Sequence, residues 1–208
     1  VMAGMRTHAL AAAMFAELLS AYVGQDPGEA FLAALLHDAG EVATYRLVSV
    51  GMRESEKKGE QWRPDRSLLW YLAEHYHPRV GVVFFRNWDL AATVVGAMAY
   101  HHHPNWAEDG HRRLALLVHV ADLLAERSIE HAQSPQWQAT VAVRGPFATD
   151  EQRALAAHGD GVEHIPIHDL LEQLPPSFNE RRIPGLIRSV LLRLDPDELK
   201  PMEAGNWN

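Results

Sequence analysis

An all-α fold, a helical bundle with additional C-terminal helices, is predicted by three features of this sequence. Apolar residues recur at helical spacing through the first two-thirds of the chain. Helix-capping and helix-stopping residues punctuate those runs. Strand-like alternation is nearly absent and is confined to the short "QATVAV" at 138–143.

The elements follow in order. His8 falls near the start of the first helix. "DPGEAFLAALLHDAG" opens with Asp26 in the N-cap role, Pro27 at the first helical position and Glu29 completing a capping box; Gly40 is placed to end it. "GMRESEKKGEQWRPD" reads as an exposed polar loop, with Trp62 a surface residue. Asp65 caps "RSLLWYLAEHY", Pro78 begins "PRVGVVFFRNW", Asp89 caps "LAATVVGAMAYHH", and Pro104 stops it. "RRLALLVHVADLLAER" is a further strong helix. From about Ser134 the pattern weakens, leaving "IHDLLEQL" and "IPGLIRSVLLRL" as closing helices. The last is amphipathic and is expected to pack on the domain or to pair with a second copy in a homodimer. The organisation predicted is a helical core over 1–130 and an extension over 131–208, with a loop region and about two to three helices packed on the core. Phe15, Phe31, Trp70, Phe84, Phe85 and Trp88 are expected in the core.

Composition bounds the chemistry. The 208 residues carry a net charge of −8, which argues against a nucleic-acid surface. With no cysteine there is no disulfide, thiolate zinc site or cysteine nucleophile. No apolar run reaches the ~18 residues of a membrane helix, and no signal peptide is visible, so a cytoplasmic protein without membrane contact is expected. The opening "VMAGMRTHAL", without an initiator Met, fits a fragment of a longer chain.

The 13 histidines matter by position. His8, the pair His37 and Asp38, His77, the pair His101 and His102, and Asp122 lie on helices, mostly near their ends. Nitrogen and oxygen ligands without sulfur suit one or two divalent ions of Fe, Mn, Zn, Ni or Co, and a carboxylate can bridge two of them. Adjacent helical residues point about 100° apart, so either His37 and Asp38 straddle an ion in a groove or Asp38 bridges while His37 binds one ion. Asp122, inside "LALLVHVADLLA", is buried by its flanks and needs a cation, a metal or several donors; Arg112 is the alternative partner.

The order His8, His37-Asp38, Asp122 resembles the HD superfamily of metal-dependent phosphohydrolases, and the flanks "EAFLAALLHDAGEV", "YHPRVGVVFFRNWDL", "VVGAMAYHHHP" and "LALLVHVADLLA" resemble its HDOD group, the HD-related output domains of bacterial signalling proteins. The resemblance covers roughly residues 6 to 127 and implies an HD-domain-like bundle. It makes His8, His37, Asp38 and Asp122 the primary metal ligands, and similarity to HD-GYP phosphodiesterases adds His77, His101 and His102, with His103 an alternative in the triple. Two departures weaken cyclic dinucleotide hydrolysis: Glu41 stands where that group has lysine, and its Gly-Tyr-Pro motif is replaced by "PNWAEDGHRRL". A second His-Asp doublet, His168-Asp169, has none of these flanks.

Two functions follow. The resemblance implies a signal-transduction output or regulatory domain that retains its metal site and acts with a signalling partner domain or protein. The alternative is a phosphohydrolase acting on a nucleotide or other phosphorylated small molecule, with Asp38 and His77 as catalytic residues. Phosphate-binding cations beside the site discriminate the two, and Arg6, Arg79, Lys57 and Lys58 are the candidates; Arg79 has Glu74 as an alternative partner.

Overall fold

A computed structural model describes residues 2–143, 148–162, 165–166, 180–194 and 199. Its helices are α1 (Met2–Val23), α2 (Pro27–Leu36), α3 (Ala39–Lys57), α4 (Arg66–Phe85), α5 (Ala92–Tyr100), α6 (Asp109–Ala132), α7 (Pro135–Ala142), α8 (Asp150–Ala156) and α9 (Ile183–Leu191). Short 3-10 turns cover Pro104–Trp106 and Glu180–Arg182. The described residues contain no strand, and the predicted all-α class holds. No described helix is long and apolar enough to cross a membrane.

Helices α1, α2, α5 and α6 form the centre. Alanines on α1 (Ala11, Ala12, Ala16) and α2 (Ala30, Ala33, Ala34) are fully buried, and their small side chains let the helices lie close. Phe15, Leu19, Met98, Leu117 and Leu124 fill the space between them. The α3–α4 hairpin leans on this centre through α5, and α3 packs chiefly against α4. On the other side α9 buries Ile183, Ile187, Val190 and Leu191 against α1 and α6. That covers the amphipathic face within the chain itself. Arg188 anchors the same helix by donating to Asp160, its Nη2 2.9 Å from Oδ1.

Several local expectations hold. The Asp26 carboxylate accepts from the Glu29 backbone at 2.9 Å, with Pro27 at the first turn. Asp65 accepts from the Leu68 backbone at 2.8 Å.

Others are corrected. The "GMRESEKKGEQWRPD" stretch is helical through Lys57. Its Glu, Lys and Arg are good helix formers, and a Lys57–Glu54 pair at 2.6 Å spans one turn; polarity marked a solvated face, not a loop. The helix ends where Gly59 takes φ +75, a conformation glycine adopts without a Cβ penalty. Pro78 lies inside α4 rather than starting a helix; its missing N–H leaves only the carbonyl of exposed Glu74 without an in-helix donor. Asp89 caps nothing: it turns the chain at φ 52, which aspartate tolerates, and α5 begins at Ala92. "QATVAV" belongs to α7, capped by Ser134, whose hydroxyl accepts from the Trp137 backbone at 3.2 Å. Phe15 and Phe85 are buried and Phe31 packs on the core, but Trp70 and Trp88 are each 60% exposed and Phe84 is also exposed. Trp62 is at the surface as expected. "IHDLLEQL", with His168-Asp169, lies outside the described residues.

Candidate metal centre

The His37-Asp38 doublet sits at a break between helices. Helix α2 ends at Leu36 and α3 begins at Ala39, so the two residues form the corner. Asp38 holds the N-cap position of α3 with φ −97 and ψ 5, yet its carboxylate makes no cap hydrogen bond. It turns inward instead. Gly40 does not terminate α2; it lies just inside α3, where a Cβ would stand 1.9 Å from the His77 carbonyl oxygen and 2.7 Å from the Gly81 nitrogen. This close crossing of α3 and α4 sets Asp38 against His77.

Asp38 then spans two groups of imidazoles. Its Oδ2 lies 3.0 Å from His37 Nε2 and 3.5 Å from His8 Nε2. Its Oδ1 lies 3.2 Å from His77 Nε2 and 3.6 Å from His101 Nε2. Asp122 completes the first group, its Oδ1 2.9 Å from His8 Nε2 and 3.4 Å from His37 Nε2. His102 completes the second, its Nε2 3.1 Å from that of His77, which is itself 3.2 Å from that of His101. The ligand atoms of His8, His37, Asp38 and Asp122 lie within 4.8 Å of one another, as do those of His77, His101 and His102. His103 stands apart and stacks on Trp106 with ring centroids 4.2 Å apart.

The donor set fits a divalent ion. Nδ1 of His37, His77 and His101 donates to the carbonyls of Ala34 (2.6 Å), Ala73 (2.9 Å) and Met98 (2.9 Å), each about one turn back along the chain. Those bonds fix the ring tautomer and aim the Nε2 lone pairs inward, the arrangement metal-ligating histidines use. Lone pairs about 3 Å apart repel unless a cation sits among them. His37 Nε2 is buried and, despite its nearby carboxylates, meets hydrogen-bond geometry with none of them.

Electrostatics say what fills that need in the protein alone. Burial by itself would lower the His37 imidazole, but the charge of Asp38 and the contacts with Asp122 outweigh it and hold the group well above an ordinary histidine. Burial would also raise the Asp38 and Asp122 carboxyls, yet the surrounding imidazoles hold both well below the usual carboxylate range. His77 is raised as well, with burial outweighed by its contact with Asp38. Burial lowers His101, and burial plus the neighbouring His101 and His77 lower His102 to about 4.

The sign of a metal-binding pH dependence follows. Protons held on His37 and His77 must leave before a metal takes Nε2. Because both are held above the ordinary 6.5, affinity is expected to keep rising as pH climbs through that value and beyond it. Zn²⁺ titrations at about pH 6 and pH 8, with calorimetric proton counting, measure this. Affinity independent of pH would remove these histidines from the ligand set.

The approach to the centre is acidic. A cavity of about 350 Å³ is lined by His8, Asp38, His77, His102 and Asp122 together with Glu41, Glu74 and Glu126. Glu41 is raised, first by burial and then by the Asp38 charge. Arg6, Arg79, Lys57 and Lys58 do not line this cavity. Lys57 pairs with Glu54. Arg79 makes no ion pair with Glu74, but it lines a neighbouring cavity of about 650 Å³ together with Glu74 and His102. Arg112 binds Asp109 at 2.8 Å and the Ala107 carbonyl, so it is not the partner of Asp122. Glu126 and His119 were not anticipated, and Glu74 was read only as a partner for Arg79. Each falls three or four residues from a proposed ligand (His77 or Asp122), a spacing that shares a helix face and was open to detection. His119 Nδ1 is buried without a hydrogen-bond partner.

Comparison with known proteins adds one finding. The HDOD domain family matches residues 1–104, a stretch that contains His8, the His37-Asp38 doublet, His77 and the histidine triple; Asp122 lies beyond the match. No curated protein and no solved structure matches the chain. An all-helical chain matched over half its length, with the His-Asp doublet at the corner where α2 meets α3, belongs to the HDOD domain family.

Proposed function

We propose that this chain is a signalling output or regulatory module whose helical core keeps a divalent-metal centre, and that it acts through a partner domain or protein. The observation that carries the metal half is Asp38, whose two oxygens face two different imidazole groups. His8, His37 and Asp122 would hold an ion on one side of it, and His77, His101 and His102 on the other. Fe, Mn, Zn, Ni and Co all accept such donors. A bound ion of this kind polarises oxygen ligands and lowers the pKa of water.

The regulatory half rests on family membership and on the acidic approach. A phosphate ester in this cavity meets Glu41, Glu74 and Glu126 and no lysine or arginine, while Arg79 lines the neighbouring cavity that reaches His102. Like charges there oppose binding of a phosphorylated substrate. The complete imidazole set keeps phosphohydrolysis, with Asp38 and His77 at the centre, as the competing reading.

The test is a phosphate-ester screen on protein loaded with Mn²⁺ or Zn²⁺, its metal content measured by elemental mass spectrometry. Bis(p-nitrophenyl) phosphate and nucleoside monophosphates are expected to show no release above that of the Asp38→Ala variant. Turnover that disappears in that variant would replace the regulatory reading with the phosphohydrolase one.

A further inference from the structure

The α3–α4 hairpin has few apolar contacts to hold it on the rest of the fold. Helix α3 has 19 residues and α4 has 20. The buried residues of α3 are Gly40, Ala43, Thr44 and Ser55, none with a large apolar side chain. Helix α4 adds Phe85, the only buried member of the hydrophobic core between residues 39 and 85. Helix α9 is the contrast: nine residues long, it buries Ile183, Ile187, Val190 and Leu191. Beyond each other, α3 and α4 pack chiefly along α5. Sparse buried apolar contact marks a segment that opens on its own, ahead of the core.

Within itself the hairpin is tight. Gly40 lies against His77 and Gly81 with no room for a Cβ. The turn after α3 folds back on it: the Ser55 hydroxyl accepts from the Trp62 backbone at 3.1 Å, and Arg63 pairs with Glu56 at 2.9 Å. Both ends of the hairpin are breaks in helix. One is the His37-Asp38 corner before α3, and the other is residues 86–91 after α4, where Asp89 takes φ 52. A unit tight inside, thinly packed outside and broken at both ends is built to move as a body.

Its fastening is polar. His77 of α4 sets its Nε2 3.2 Å from that of His101 and 3.1 Å from that of His102. Asp38, at the corner, faces the imidazoles of His8 and His37. Imidazole nitrogens this close attract only through a proton or a cation between them. His77, His101 and His102, holding one divalent ion, would tie α4 to the end of α5.

We infer that metal occupancy fastens the α3–α4 hairpin: with the ion it is docked as described, and without it residues 39–85 open as one unit while α1, α2, α5 and α6 stay packed. The inference rests on the proposed metal centre and deepens it, because occupancy becomes an input that changes the shape of a regulatory module.

The experiment is amide hydrogen exchange of the full chain, read by mass spectrometry after chelator dialysis and again with Zn²⁺ at about 100 times its Kd. Elemental mass spectrometry counts the bound metal. In the metal-free chain, peptides from 39–85 are expected to exchange as one set, at least about tenfold faster than peptides from α1 and α6. Zn²⁺ is expected to slow that set by about a hundredfold, the factor linkage gives when opening releases the ion. His77→Gln leaves His8, His37, Asp38 and Asp122 in place, and is expected to bind metal yet keep the fast hairpin rate. Bound Zn²⁺ with unchanged hairpin exchange would overturn the inference and leave the metal centre standing. Hairpin peptides as slow as those of α6 in the metal-free chain would overturn it as well, and so would a His77→Gln chain protected like the wild type. No bound Zn²⁺ in the wild type would remove the metal centre itself, and the fastening with it.

Discussion

Asp38→Ala is expected to empty both halves of the proposed metal centre at once. Its oxygens face His37 and His8 on one side and His77 and His101 on the other. Asp122→Ala and His102→Ala each touch one group only. Elemental mass spectrometry of protein purified without chelator or affinity metal should therefore find metal at background in Asp38→Ala and a reduced content in each of the other two. Wild-type metal content in Asp38→Ala would overturn the bridging role. Stability of the metal-free variant is a separate readout. Loss of one partner from a buried ion pair costs about 3–5 kcal/mol, and a smaller loss is expected here because His37 can shed its proton once Asp38 is gone.

Gly40→Ala is expected to be the most damaging single methyl in the protein's first hundred residues. The new Cβ would meet the His77 carbonyl oxygen at 1.9 Å, and backbone on a packed helix cannot rotate away as a side chain can. Helices α3 and α4 would have to separate, at a cost of about 3 kcal/mol, the upper end for overpacking. Because the same crossing sets Asp38 against His77, metal affinity should fall with stability. Gly110→Ala is the control: a Cβ there meets nothing within 4 Å, and the change should stay within about 1 kcal/mol, on the favourable side. Urea unfolding midpoints of the two variants measure the contrast, and equal midpoints would show that the hairpin crossing has slack.

Helix content was legible because it depends on neighbours in the chain. Asp26 and Asp65 cap as read, since an N-cap acts only on the residues that follow it. The chemistry-bearing side chains were legible by type, because imidazole and carboxylate groups beside apolar helical runs are conspicuous wherever they later meet. Several of the differences share one source. Gly40 reads locally as a helix end, but its role is set by α4. Asp38 occupies an N-cap position and abandons the cap, because imidazoles from three other helices and from the preceding residue surround its carboxylate. Trp70 and Trp88 look like core residues in an apolar run, and only packing shows that nothing covers them. Pro78 reads as a helix start, yet α4 continues through it.

By itself the sequence determined an all-helical chain, the caps that begin α2 and α4, and which imidazole and carboxylate groups were available. Only the tertiary structure decided that Asp38 faces two groups, that Glu41, Glu74 and Glu126 surround the entrance, and that the α3–α4 hairpin gives the hydrophobic core only Phe85 as a buried member. The physical reason is range. Propensity and capping act within about one helical turn, whereas His8 and Asp122, 2.9 Å apart in space, meet only after the intervening helices have packed.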